Sequence, residues 1–172
     1  MTRTVSILML VALATCNLAL RSQDKPRAAA KKIPDGVYRV LRDGPSEKDV
    51  LPLKEGEAIV VDHRRYVKGN ENEPRHYVVV RSAPDVLLDL AREPIAVGEG
   101  TDIRIVLQLR PKPAEALEQV TREYPNGQLT IVLGGEVVTT HKIRSGIKDG
   151  DVQITSCTAG AADFLLKQRC RI

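Results

Sequence analysis

Residues 129–143 read LTIVLGGEVVTTHKI, and this stretch decides how the second half of the chain folds. The apolar, β-branched run from Leu129 to Leu133 is typical of a buried strand. Gly134 and Gly135 follow, and two glycines in sequence favour a two-residue hairpin turn because both residues can take positive φ. Residues 136–143 then return as the partner strand. The stretch therefore predicts an antiparallel β-hairpin.

The segments on either side of this hairpin complete an α+β pattern. Apolar residues occupy every second position over 103–109, which indicates a strand with one buried face. Pro111 and Pro113 begin a helix, where the missing N–H of proline is harmless. A last strand over 151–155 and a closing helix over 159–168 give the order β-α-β-β-β-α. We expect an antiparallel sheet with two helices on one face, over residues 85–172.

Residues 33–84 form a less regular segment ahead of this pattern. Strand candidates lie at 36–41, 58–61 and 76–80, and the Gly-, Asn- and Pro-containing stretch 68–74 indicates an exposed turn. We expect a small β-rich lead-in that packs on the main domain.

Composition and charge exclude one class of partner. Hydrophobic residues make up 42% and charged residues 28% of the 172, which is ordinary for a globular protein, while one Phe, four Tyr and no Trp leave few stacking platforms. The net charge of +4 is concentrated at the start: residues 1–32 hold six Lys or Arg and one Asp, whereas the remainder holds 20 basic and 21 acidic residues. A basic leader on a neutral body does not predict nucleic-acid binding.

Residues 1–20 have the order of a signal peptide or lipoprotein leader: one Arg, an unbroken apolar run over 5–14, then small residues. Two processing routes fit. Leu13 to Cys16 resembles a lipobox, in which Cys16 would be lipidated, and ordinary cleavage after Ala14 or Cys16 also fits. An uncleaved leader would be a short membrane anchor. Residues 21–32 are polar and basic, which predicts a flexible tether.

The run from Ala114 to Leu166 resembles the head of the first periplasmic domain of the protein-export membrane protein SecD. That family has a strand pair of the type aIVLDGkVVsAPvI, then a loop with I..G, a strand of the type qItG and a helix. This chain has 129–143 as quoted, then Ile147 and Gly150, then VQIT at 152–155. The departures are Gly134 in place of the usual Asp, and Thr140-His141 in place of AP.

The resemblance implies a periplasmic or cell-envelope module that contacts polypeptide emerging from the translocon. The multiple transmembrane helices of SecD have no counterpart in the sequence, so the resemblance implies binding without active pulling. The motifs consist of apolar framework and turns, which specify a fold more closely than a function.

The sequence predicts no enzyme, cofactor or metal site. Cys157 with His141 upstream is the one conceivable nucleophile and base, but no nucleophile signature surrounds the cysteine, which is expected to end a strand. His63, His76 and His141 are scattered, without a pair at metal-ligand spacing.

The candidate binding surface is the sheet face opposite the two helices, where an extended client could also add to a free edge. The alternative is an outer face that is solvated, or covered by residues 33–84. The candidate residues are Arg104, Val106, Gln108, Thr130, Val132, Val138 and Thr140.

Two functions remain open at this point. The first is an exported, non-enzymatic module that binds translocating or unfolded polypeptide. The second is a structural or assembly protein of the cell envelope that binds one fixed partner and has no role in translocation. The partner is a polypeptide in either case, with attachment to the membrane through the leader or a lipid on Cys16.

Overall fold

Ten strands and one α-helix make up the part of the chain that the computed structural model describes, which is residues 33–64, 66, 73–99, 103–157 and 166–167. The helix, α1, is Pro111–Glu123, and a short 3-10 helix lies at Glu47–Val50. The strands are β1 (Gly36–Arg39), β2 (Arg42–Gly44), β3 (Glu57–Asp62), β4 (His76–Arg81), β5 (Val86–Leu87), β6 (Ile95–Val97), β7 (Ile103–Gln108), β8 (Gln128–Leu133), β9 (Glu136–Lys142) and β10 (Asp151–Cys157).

The predicted hairpin is confirmed. β8 and β9 pair antiparallel, and the turn between them places Gly134 at φ 64° and Gly135 at φ 87°. A β-bulge interrupts the register between Ile131 and Val132. The bulge inserts an extra residue in β9 and so bends this strand pair.

The larger sheet closes on itself. Its order is β2-β4-β3-β9-β8-β1-β5, in which β3 and β9 pair in parallel at Asp62 and Val137 and the other pairs are antiparallel. β1 pairs with β8, and β2 pairs with β4. Two residues connect β1 to β2, and both extend these pairings. The N–H of Val40 donates to the carbonyl of Gln128, and the N–H of Leu41 donates to the carbonyl of Val79, both at 2.9 Å. The continuous stretch from β1 to β2 therefore bridges β8 and β4 and closes the sheet, with β5 attached outside the closure at β1.

This closed sheet holds an apolar core of its own. Tyr38 is fully buried among valines from both halves of the chain, and its hydroxyl donates to the carbonyl of Pro34 at 2.5 Å. Burial raises the pKa of Tyr38 to about 12, and Asp35 and Asp85 add to the effect. The cluster consists of Ile33, Tyr38, Val40, Val60, Val78, Val80, Val132 and Val137.

A second core lies between the two sheets and α1. The smaller sheet has the order β10-β7-β6, and it contributes Ile105, Leu107 and Ile154, while β8 contributes Ile131. Leu117 of α1 is 1% exposed, and burying such a side chain stabilises the fold by about 1.5–3 kcal/mol. Both ends of the helix are set by sequence, since prolines begin it and Tyr124 ends it before a turn at Asn126, which has φ 63°.

The α+β class is confirmed, with one difference in how the strands are shared. The four strands predicted for residues 85–172 do not form one sheet: β8 and β9 belong to the larger sheet, and β7 and β10 to the smaller one. The reason is that β1, from the predicted lead-in, occupies the second edge of β8. The closing helix predicted for 159–168 lies outside the described residues, apart from Leu166 and Lys167.

Candidate polypeptide-binding site

The seven residues predicted to form one binding face are divided between the two sheets. Arg104, Val106 and Gln108 lie on β7, whereas the other four lie on β8 and β9. Thr130 and Val132 are fully buried. The prediction of a single exposed face is therefore wrong.

Burial by the first half of the chain explains this result. Val132 packs in the core of the closed sheet, and Thr130 donates its hydroxyl proton to the carbonyl of Thr139 at 3.1 Å. Val138 faces the other core and is 2% exposed, while Thr140 is half-buried. Of the alternatives left open by the sequence, coverage by residues 33–84 applies to Thr130 and Val132.

A free sheet edge is present at β6. On one side β6 pairs with β7: Ile95 lies opposite Val106, Ala96 opposite Ile105 and Val97 opposite Arg104. No strand in the described parts of the chain pairs with the other side of β6. Ile95 is 42% and Val97 41% exposed, so the edge is apolar as well as open.

The hydrogen bonds around β7 show which backbone groups of β6 face outward. In an antiparallel ladder, alternate residues direct their N–H and C=O to opposite sides. The carbonyl of Gln108 accepts from Ala91 at 2.8 Å on the β6 side, and the N–H of Leu109 donates to Gly150 at 3.1 Å on the β10 side. Val106 and Arg104 lie two and four residues before Gln108, so their N–H and C=O groups also point to the β6 side. Their partners, Ile95 and Val97, therefore direct their own N–H and C=O groups toward β7. Ala96 therefore directs its N–H and C=O to the open edge.

Sequence reasoning missed β6 because the strand is short. Three residues are too few for a period of two to be recognised, and Pro94 immediately before them indicates a break. Proline at the start of a strand is, however, compatible with an edge position, since it removes one donor from the ladder. The sequence Pro-Ile-Ala-Val thus carried a weak signal for an edge strand.

The opposite edge of the smaller sheet is β10, which also has no second partner strand among the described residues. The backbone of Gln153 faces away from β7 by the same alternation, and the half-buried ring of His141 on β9 lies near it. Nε2 of the His141 ring lies 3.1 Å from Oγ1 of Thr139. Burial lowers the pKa of His141, and the bond to Gln153 opposes that shift. The ring therefore lies where the two sheets meet.

The other chemical candidates are separate from one another. Cys157 ends β10, as predicted. His76 lies 2.7 Å from a carboxylate oxygen of Asp43, and His63 lies 3.9 Å from Glu136. Within the described ranges, no group of three or more His, Cys, Asp or Glu side chains is placed to hold a metal ion, and no helix is long and apolar enough to cross a membrane.

Comparison with known proteins returned solved structures of SecDF. One, described as a membrane component that enhances protein export, is 23% identical over 79% of this chain and 63% of that chain, with a TM-score of 0.49. The other, SecDF in a super-membrane-facing form, is 23% identical over 78% of this chain and 18% of that chain, with a TM-score of 0.48. The chain thus spans less than two thirds of either SecDF chain.

No protein-family model matches the sequence, and neither does any curated protein. Both structures are of SecDF, the family of proteins that the sequence resembles, at 23% identity.

Proposed function

We propose that the chain is an exported, non-enzymatic module that binds extended polypeptide segments by strand addition at β6. The observation that carries the proposal is the outward-facing backbone of Ala96 on a strand that is open and apolar. A client strand at this edge would pair with Ala96 and lie beside the exposed side chains of Ile95 and Val97.

Strand addition suits a module that meets many different chains. Main-chain hydrogen bonds provide affinity that does not depend on the client's sequence, because every non-proline residue carries the same donor and acceptor. β6 has only three residues, so few such bonds can form. We therefore expect affinity in the micromolar range, with a preference for apolar segments that contact Ile95 and Val97.

The non-enzymatic part of the proposal is supported by how the histidines are used. His141 is engaged by Thr139 and the backbone of Gln153, and His76 lies beside Asp43. The hydroxyl beside the His141 ring is that of Thr139, which is only 6% exposed, so a substrate has little access to this candidate nucleophile.

The test is fluorescence anisotropy with the purified chain and a labelled, permanently unfolded polypeptide such as reduced and carboxymethylated α-lactalbumin. Ala96→Pro removes the outward N–H without removing a hydrogen bond to β7, because the backbone of Ala96 faces away from it. Ala96→Val is the matched control, since it keeps the N–H and favours a strand. We expect Ala96→Pro to abolish binding and Ala96→Val to retain it.

Equal binding by the two variants, both shown to be folded, would place the client elsewhere. Failure of the parent chain to bind any unfolded polypeptide, together with capture of one folded envelope protein, would favour the alternative of an assembly module with a fixed partner.

Export and attachment form a separate part of the proposal, since the leader lies outside the described residues. We propose that residues 1–20 direct export and that Cys16 carries a lipid. Incorporation of labelled palmitate into the chain, and its loss in Cys16→Ser, would support attachment by a lipid. Absence of label in an exported chain would leave ordinary cleavage of the leader.

A further inference from the structure

The closed sheet has a seam where β3 and β9 run side by side. These two parallel strands pair at one position only, Asp62 with Val137. β3 ends at Asp62, whereas β9 continues to Lys142. A cleft of about 240 Å³ opens beyond the pairing, between the end of β3 and the last residues of β9.

The β9 wall of this cleft presents unpaired backbone groups. The N–H of Ile143 donates to the carbonyl of Gly127 at 2.8 Å, on the β8 side. Because bonding alternates along an antiparallel ladder, Thr140 and Lys142 direct their N–H and C=O groups away from β8. In the described parts of the chain, no backbone hydrogen bond reaches either residue from that side. The wall therefore offers donors and acceptors to a ligand.

Two charged side chains in the cleft have unused hydrogen-bonding capacity. The Lys142 ammonium forms no ion pair with a described residue. Oδ1 of Asp62 accepts the N–H of Arg64 at 2.8 Å, but Oδ2 lies 4.0 Å from Nε of Arg64, which is too far for a hydrogen bond. The Asp62 side chain is 17% exposed, so this oxygen is partly shielded from water. A free cation on β9 thus faces a partly shielded carboxylate oxygen on β3.

The two signs of charge limit which ligands the cleft favours. Its other charged groups are held in two pairs, which are His76 with Asp43 and Arg64 with Glu73. An anion would meet Lys142 but also the carboxylate of Asp62, and a cation would be repelled by Lys142, so a ligand with one charge gains little. A molecule with both a carboxylate and an ammonium would find a partner for each, in charge-assisted hydrogen bonds.

We propose that this cleft binds a free α-amino acid with a small aliphatic side chain. The carboxylate meets the Lys142 ammonium and the outward N–H groups of β9, and the ammonium meets Oδ2 of Asp62. The side chain lies on the floor, where Val40 and Val78 belong to the core of the closed sheet. At about 240 Å³, the cleft is below the ~300–1,000 Å³ of sites for drug-sized ligands, which restricts it to a small molecule.

The end of a polypeptide fits this cleft less well. Each terminus of a chain carries only one of the two charges, whereas a free amino acid carries both on the same carbon. The inference is therefore independent of strand addition at β6, with which the cleft shares no residue.

The test is an NMR titration of the isotope-labelled full chain with L-valine, followed through the backbone amides. We expect saturable shifts at the amides of Thr140 and Lys142, because they donate to the carboxylate. Valinamide lacks the carboxylate and isovalerate lacks the ammonium, while both keep the aliphatic side chain. We expect each to bind about tenfold or more weakly than L-valine, because each loses a hydrogen bond to a charged group.

Two substitutions locate the ligand. Lys142→Gln removes the ammonium, and Asp62→Asn removes the negative charge but keeps an oxygen that accepts the N–H of Arg64. We expect each to weaken L-valine binding by about tenfold or more. Lys148→Gln and Asp151→Asn are the matched controls, since both residues are exposed and lie outside the cleft. The controls should bind L-valine like the parent chain.

Three results would overturn the proposal. The first is an absence of amide shifts when the parent chain is titrated with L-valine to millimolar concentrations. The second is binding of valinamide or isovalerate as tight as that of L-valine. The third is undiminished binding by both cleft variants, each shown to be folded.

Discussion

Asp85 accepts two hydrogen bonds from Arg39, one from the backbone N–H at 2.8 Å and one from Nε at 2.7 Å. The Asp85 side chain is 5% exposed, so the pair is shielded from solvent on the carboxylate side. The Arg39 guanidinium also lies 5.9 Å from the centre of the Tyr124 ring at the end of α1. This arrangement connects β1, β5 and α1 across the position at which the sequence predicted a boundary between residues 33–84 and 85–172.

Replacing Asp85 tests how strongly this connection holds the two parts together. Asp85→Ala leaves the backbone N–H of Arg39 without its acceptor, which costs about 1–3 kcal/mol in the free energy of unfolding. Asp85→Asn is the control, because its amide oxygen can still accept one of the two bonds, and a smaller loss is expected. Urea unfolding measures both. Two separate transitions in the parent chain would contradict a fold that unfolds as one unit.

Gly150 occupies a position that no other residue fits well. Its φ is +68°, and an added Cβ would lie 2.5 Å from the Cβ of Ala114 on α1. Gly56 is a matched control, since its φ is +76° and nothing lies within 4 Å of an added Cβ. The left-handed conformation alone costs alanine about 1–2 kcal/mol, which we expect for Gly56→Ala.

Gly150→Ala should lower the free energy of unfolding by about a further 1–3 kcal/mol, because overpacking adds to the backbone cost. Denaturant unfolding of the two variants side by side measures the difference. Equal destabilisation would mean that α1 does not pack against the start of β10 as described.

His141 makes stability depend on pH. Burial lowers its pKa in the folded state, so the unfolded chain binds the proton more readily. The neutral ring contributes to the free energy of unfolding above about pH 6.5, the ordinary pKa of histidine. This contribution is lost as the pH falls through the lowered pKa of the folded state. In His141→Gln this part of the pH dependence should disappear. Unfolding curves of both chains between neutral and mildly acidic pH would show it, and parallel curves would contradict the assignment.

Glu57 makes the stability of the fold depend on pH in a more acidic range. Its pKa falls from 4.5 to about 2, first because Arg42 donates hydrogen bonds to the carboxylate and then because the backbone of Lys54 does. The stabilisation is present above pH 4.5 and is lost as the pH falls toward 2. Glu57→Gln should remove this acid-sensitive component. Acid titration followed by circular dichroism provides the readout.

Arg42 explains why that acid sensitivity is expected to be local. Besides its two bonds to Glu57, at 3.0 and 2.7 Å, the guanidinium donates to the carbonyls of Val50 and Pro52. The pair therefore holds the segment that follows the 3-10 helix. Hydrogen exchange of residues 47–53 should accelerate in Glu57→Gln before the rest of the fold is affected.

Much of the local structure could be predicted from sequence, and the predictions that succeeded depend on neighbours in the chain. The Gly134-Gly135 turn fixes the hairpin, since both residues need positive φ. Pro111 begins α1 because it needs no hydrogen-bond partner at that position. Three-residue β6 was missed because so short a segment has no recognisable period.

The candidate site was predicted less well because it depends on contacts between distant segments. Alternation within a strand shows which side chains share a face, but it does not show what covers that face. The alternation along β8 assigned Thr130 and Val132 to an outer face. In the structure, residues 33–44 cover that face. The open edge at Ala96 is likewise a tertiary feature. It exists because no strand among the described residues pairs with the outer side of β6.

The sequence by itself therefore determined the hairpin over 129–143, the start of α1 and the α+β class, because turn chemistry and hydrophobic period act over a few residues. Only the tertiary structure decided which strands share a sheet. β8 can pair on either edge with any strand of suitable pattern, and the choice of β1 over β7 is made by burial of Tyr38 and its neighbours in the closed sheet. That burial brings together residues nearly one hundred positions apart, and no local pattern encodes it.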